Sequence, residues 1–142
     1  IADIDQDGKP DIVANHSDNF RVFKNSCPVG TINGSFFTEA YISTANIKYN
    51  YPVDLNLNNK IDLIGLEDAP TAVVAVVENN ATAGIIDGST FLSKFNIAPG
   101  QDFFQQWIYS ADIEGDGKPD IIQGTVFNSY NVHQNIHTGG AL

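Results

Sequence analysis

One nine-residue pattern occurs three times in this chain, and any fold must accommodate it. Ala2-Asp3-Ile4-Asp5-Gln6-Asp7-Gly8-Lys9-Pro10-Asp11-Ile12, Val53-Asp54-Leu55-Asn56-Leu57-Asn58-Asn59-Lys60-Ile61-Asp62-Leu63 and Ala111-Asp112-Ile113-Glu114-Gly115-Asp116-Gly117-Lys118-Pro119-Asp120-Ile121 align without a gap, their lead aspartates 51 and then 58 residues apart. Each is followed by an echo, Val22-Phe23-Lys24-Asn25, Val76-Val77-Glu78-Asn79 and Val132-His133-Gln134-Asn135, beginning 19, 22 and 20 residues beyond the lead aspartate. A further echo, Gly34-Ser35-Phe36 and Gly88-Ser89-Thr90-Phe91, follows in the first two repeats. A period of this length marks an array in which each unit buries its apolar face against the next. The repeats run approximately over residues 1–46, 47–103 and 104–142.

The pattern also collects the charge. The chain of 142 residues has 17 Asp and Glu against 7 Lys and Arg, a formal net charge of -10, which argues against a nucleic-acid groove or an anionic membrane surface as partner. No run of about 18 apolar residues suggests membrane insertion. Ten of the 17 acids lie in the three loops, at positions 1, 3, 5 and 9 of the pattern. Two carboxylates about 4 Å apart repel by about 1 kcal/mol in bulk water and several-fold more near a protein surface. Four within nine residues therefore point to a cation among them. Oxygen donors without Cys or His favour a hard ion, and a flexible many-oxygen loop favours Ca2+ over Mg2+.

The expected ligands are the side chains of Asp3, Asp5, Asp7 and Asp11 with the Lys9 carbonyl, and those of Asp112, Glu114, Asp116 and Asp120 with the Lys118 carbonyl. In the middle loop Asp54, Asn56, Asn58, Asp62 and the Lys60 carbonyl hold the same places. Two carboxylates there make either a weaker site or a vestige held by hydrogen bonds alone. Gly8 and Gly117 at position 6 supply the positive φ that turns the chain, and Asn59 is the residue after Gly that best tolerates it. The recurring Lys9, Lys60 and Lys118 contribute only carbonyls, so their ammonium groups are expected in solvent. An EF-hand fits poorly: its bidentate Glu at position 12 is replaced by Ala14, Gly65 and Gln123, and the residues after the first and third loops read as strand.

Short β-rich runs separated by Asn, Gly and Pro joints fill the remainder. They are Ile47–Tyr49 into Val53, Ile61–Leu66, Ala72–Val77 and Phe91–Ile97 in the second repeat, and Phe104–Ala111, Asp120–Val126 and Tyr130–Ile136 in the third. No segment has a capped helical apolar stripe. The expected fold class is all-β, with β-propeller blades of four-stranded antiparallel sheets, about two and a half to three blades in this chain. The DxDxDGxPD-type loops Asp3–Asp11 and Asp112–Asp120, the V-x-x-N strand ends and the G-S-F-like starts of a following strand resemble the FG-GAP/VCBS repeat family, found also in the integrin α-subunit head. The resemblance implies a calcium loop joining the first two strands of each blade. It says little about activity, because propellers host many functions.

Nothing in the chain reads as a catalytic constellation. His133 and His137 fall on or just past a strand, where four residues span about 13 Å, so they do not share an ion; His16 lies in a turn. Cys27 is a spare thiol or pairs with another part of the protein. The aromatics Phe103, Phe104, Trp107 and Tyr109, and Tyr41, Tyr49 and Tyr51, are expected mainly as packing between units, with sugar stacking or protein hot spots as the alternative. The sequons at Asn15, Asn33 and Asn80 carry little weight. A start at Ile1 and the absence of Met suggest a segment of a longer protein, whose remaining blades, or another copy of the chain, would cover the open edges.

The functional expectation is a calcium-stabilised segment of a secreted or cell-surface protein, a binding or adhesion scaffold for a glycan or protein ligand. Multi-carboxylate sites of modest affinity fill at extracellular calcium levels. The alternatives are the propeller of an extracellular polysaccharide lyase or hydrolase, and a purely structural spacer.

Overall fold

The computed structural model describes residues 1–17, 19–67, 73–99, 105–125, 129–139 and 142. Among the described residues ten strands form three antiparallel sheets, one from each repeat. The first sheet holds β1 (Ile12–His16), β2 (Asn19–Asn25) and β3 (Phe37–Ile42) in that order. The second runs β4 (Lys48–Val53), β5 (Asp62–Glu67), β6 (Val73–Val77), β7 (Phe95–Pro99). In the third, β9 (Asp120–Thr125) lies between β10 (Tyr130–His133) and β8 (Gln105–Ala111).

The chain is therefore all-β, but four strands per unit are seen in the second sheet only. Ahead of the first loop there is just the bridge between Ala2 and Asp11, and the third sheet has three strands among the described residues. The G-S-F echo is not a strand start. Gly34–Phe36 is a single 3-10 turn, capped by the Asn33 side chain, and β3 begins after it. In the second unit Ser89 and Thr90 fold around Asp87, and β7 begins only at Phe95. A Ser beside an Asx acceptor favours a local turn over a ladder. β10 ends at His133 rather than Ile136. Ala72, Phe103, Phe104 and Val126 lie outside the described residues.

The middle sheet is covered on both faces. Side chains alternate across a strand, so Leu63, Ala75 and Val77 face the first unit, packing with its Ile4, Phe20 and Val22 and with Ile47 and Phe91 of the second unit. Ile64, Leu66, Val74 and Val76 face the third, packing with Leu55, Ile108 and Ile121. This explains the unbroken apolar run of Val73-Val74-Ala75-Val76-Val77, every residue of which is buried; a sheet with one wet face would alternate. Gly65 lets β4 approach closely, since a Cβ there would overlap Ile47. Among the aromatics, Phe20, Tyr41 and Phe91 interlock with ring centroids 5.1 to 5.7 Å apart. Tyr51 packs on the second core and meets Tyr109 of the third unit edge-on at 5.5 Å, as packing between units requires, although Tyr109, like Tyr49 and Trp107, is also exposed.

Candidate metal centre

The three loops have one internal geometry. Position 6 is left-handed in each, at Gly8 (φ 84), Asn59 (φ 65) and Gly117 (φ 85). So is position 4, at Gln6 (φ 58), Leu57 (φ 59) and Gly115 (φ 80). These reversals aim backbone N–H groups at the lead carboxylate. Asp3 accepts from Asp7 N (3.1 Å) and Gly8 N (2.9 Å), Asp54 from Asn58 N (3.0 Å) and Asn59 N (2.8 Å), and Asp112 from Asp116 N (3.1 Å) and Gly117 N (2.9 Å). The position 5 side chain accepts from the N–H two residues on, in Asp7, Asn58 and Asp116 alike.

The aspartate at position 9 ties the loop to the echo. One oxygen of Asp11, Asp62 and Asp120 accepts from the position 2 N–H of Ile4, Leu55 and Ile113 at 3.0 to 3.1 Å. The other accepts from the backbone N–H of Asn25 (2.9 Å), Asn79 (2.8 Å) and Asn135 (2.8 Å). Each of those asparagines donates its side-chain amide to the position 8 carbonyl, that of Pro10, Ile61 or Pro119. Asn79 also donates to the Ile4 carbonyl of the preceding unit (2.8 Å), and Asn135 to that of Leu55 (2.8 Å).

The loops gather three carboxylates rather than four. Asp3, Asp5 and Asp11 each bring an oxygen within 4.8 Å of the others, as do Asp112, Glu114 and Asp120. Asp7 and Asp116 stand outside these groups. The Lys118 ammonium pairs with Asp116 at 3.1 Å, on a side chain that stays partly exposed. The middle loop offers the carboxylates of Asp54 and Asp62 with Asn56 and Asn58 beside them.

A second set of residues, absent from the expected ligands, pairs with position 3. Lys24 binds Asp5, Glu78 accepts from Asn56 (3.1 Å), and Gln134 donates to Glu114 (2.6 Å). All three occupy the third place of the V-x-x-N echo, so comparing that column with the loops could have found them. Lys24 also reaches the Gly84 carbonyl (2.6 Å) and lies 3.5 Å from Asp7. Even so, Asp5 Oδ1 is buried without a hydrogen-bond partner, an unfavourable state for a carboxylate oxygen. A cation at the first loop would satisfy it, sharing Asp5 with the Lys24 ammonium. The oxygen-only donors of the first and third loops fit a hard ion. The candidate groups contain no His or Cys. His133 contacts Gln123 (3.2 Å), and Cys27 is a free, half-buried thiol.

The three position 9 carboxyls are all buried, but their surroundings differ. Desolvation pushes Asp62 up to about 6, against the lowering pull of its two N–H donors. Desolvation likewise raises Asp11. Asp120, on a more open loop, is held below the usual range by the Asn135 N–H. Folded Asp62 therefore binds its proton more tightly than the unfolded carboxyl at 3.8, so its protonation favours folding. In chelator that contribution is complete at about pH 4 and lost above about pH 6, roughly 2–3 kcal/mol in all. His133, lowered by burial, acts in the opposite sense near its ordinary value. The comparison to make is denaturant midpoint against pH for the chain and for Asp62→Asn. The variant is expected to show a shallower loss of stability with rising pH, and identical slopes would reject the assignment.

No family model, curated protein or solved structure matches the chain. Among the described residues no helix is long and apolar enough to cross a membrane.

Proposed function

We propose that this chain is a calcium-stabilised scaffold of FG-GAP/VCBS-like propeller units, which presents a binding surface for glycans or proteins outside the cell. The observation that carries the reading is the first loop. Three carboxylates converge there, and a buried oxygen of Asp5 has no partner. Asp3, Asp5 and Asp11 would hold the ion in that loop and Asp112, Glu114 and Asp120 in the third. When bound, the ion would supply the positive charge that lets these acids remain ionised side by side. The backbone bonds of positions 1 and 9 set the loop shape, so a cation would find its donors already placed. A scaffold role suits this arrangement, since the charge serves the joints between strands and leaves the sheet faces that no neighbouring unit covers for contact.

Thermal unfolding in calcium and in chelator tests the cation. Ligand at about 100 times its Kd stabilises by about 2.7 kcal/mol, and a rise in Tm of several degrees is expected on adding calcium, with a smaller one for magnesium. The double variant Asp5→Asn/Glu114→Gln keeps the backbone bonds of both loops and is expected to lose the response. An unchanged Tm in chelator and calcium would remove the basis for the proposal.

A further inference from the structure

Each loop meets one residue of its own echo, and that residue changes charge from loop to loop. The third echo place holds Lys24 beside Asp5, Glu78 beside Asn56 and Gln134 beside Glu114. The neighbouring asparagine fixes the place, because its backbone N–H is pinned to the position 9 aspartate in every unit. Whatever stands there is therefore held at position 3 of the loop. In the first unit it is a cation.

Three oxygens surround the Lys24 ammonium, matching its three donors. It binds Asp5, donates to the Gly84 carbonyl of the second unit (2.6 Å) and lies 3.5 Å from Asp7. Gly84 returns its own N–H to the Asp5 carbonyl (2.7 Å), so the lysine is clamped between the loop and the neighbouring unit. Asp5 is 0% exposed, and a buried carboxylate left unpaired is strongly destabilising. Lys24 supplies a partner to one of its oxygens only. The other, Oδ1, is buried with none, while the carboxylate belongs to the group it forms with Asp3 and Asp11. The third loop has the same three-carboxylate group, but there Gln134 offers Glu114 a neutral amide, and Lys118 pairs with Asp116, outside the group.

We infer that Lys24 is a resident counterion, which sets the calcium affinity of the first loop below that of the third and holds the first loop together when calcium is withdrawn. The inference rests on the calcium reading above. Calcium affinity follows the charge count of the ligands, and a fixed ammonium sharing Asp5 with the ion opposes its binding. Two loops of nearly the same sequence are thus unequal: the third fills first as calcium rises, and the first fills at higher concentration. The joint between the first and second units stays closed meanwhile through Lys24 and Gly84. Glu78 obeys the same logic, since it brings a carboxylate to the loop in which Asn56 and Asn58 stand in place of acids.

Titration calorimetry with calcium provides the test. Glu114→Gln leaves the first loop to be measured, Asp5→Asn leaves the third, and the double variant serves as the blank. The first loop is expected to bind about tenfold more weakly than the third. Adding Lys24→Gln to Glu114→Gln should tighten the first loop by about tenfold, whereas Lys24→Arg, which keeps the charge, should leave it weak. Adding Gln134→Lys to Asp5→Asn should weaken the third loop by a similar factor; both Gln134 and Glu114 are exposed, so this variant decides the matter even where Lys24→Gln fails to fold. In chelator Lys24→Gln should lower Tm by several degrees, and calcium should close most of the gap. A lysine with a purely structural role would lower Tm equally in both buffers and would not tighten binding. Calcium affinity unchanged or weakened by Lys24→Gln, or unmoved by Gln134→Lys, would overturn the inference and leave the calcium reading standing. Absence of binding in every variant would overturn both.

Discussion

Replacing Asn79 with alanine is expected to cost about 3–5 kcal/mol, a large part of the stability of a domain this size. Asn79 is buried, and its side chain makes three hydrogen bonds: to the Ile61 carbonyl, to the Ile4 carbonyl and from the Ala81 N–H (2.7 Å). Alanine leaves two carbonyls and an N–H without a partner, and each buried polar group so orphaned costs about 1–3 kcal/mol. The counterpart Asn25→Ala orphans only the Pro10 carbonyl and the Cys27 N–H, so a loss of about 1–3 kcal/mol is expected. Urea titration measures both, provided the m-value stays constant. Equal losses would mean that the bond between units contributes nothing.

The second large effect concerns residues equivalent in sequence but opposite in environment. Phe20→Ala is expected to cost about 3–5 kcal/mol, because it empties a fully buried site. The lost ring stacks on Tyr41 at 5.7 Å and meets Phe91 edge-on at 5.4 Å. Tyr130, two residues before the echo valine as Phe20 is, lies on the open face of the third sheet, and Tyr130→Ala should change stability by less than about 0.5 kcal/mol. Both are to be measured by urea titration under the same conditions. A large loss at Tyr130 under those conditions would show that its face is covered within a single chain.

These two contrasts also mark how far the sequence could be read. Repeated aspartates, the position 6 Gly and Asn residues and the β-rich runs state the loops and the all-β class directly, because each residue type has a local physical reason to be there. Position 4 was hidden: Gln6 and Leu57 have no preference for positive φ, and only the closed hydrogen-bond circuit of the loop holds them in it. The pairs Asp5 with Lys24, Asn56 with Glu78 and Glu114 with Gln134 were hidden for another reason. They change character from loop to loop, so no single residue type marks the column. Exposure was the least legible property. Val22, Val76 and Val132 are the same letter in the same motif, and only the presence of a following unit decides which of them is buried.

The asparagine that ends each echo has a kinetic consequence. Its backbone bond to the position 9 aspartate spans 14 to 17 residues, a loop short enough to close early in folding. The amide of Asn79 then reaches across 75 residues to Ile4, and that of Asn135 across 80 to Leu55. One planar group thus joins a local closure to a distant docking step, since the orientation that completes its own loop also aims its remaining proton at the neighbour. Folding should therefore propagate from unit to unit, with each finished hairpin serving as the template on which the next is selected.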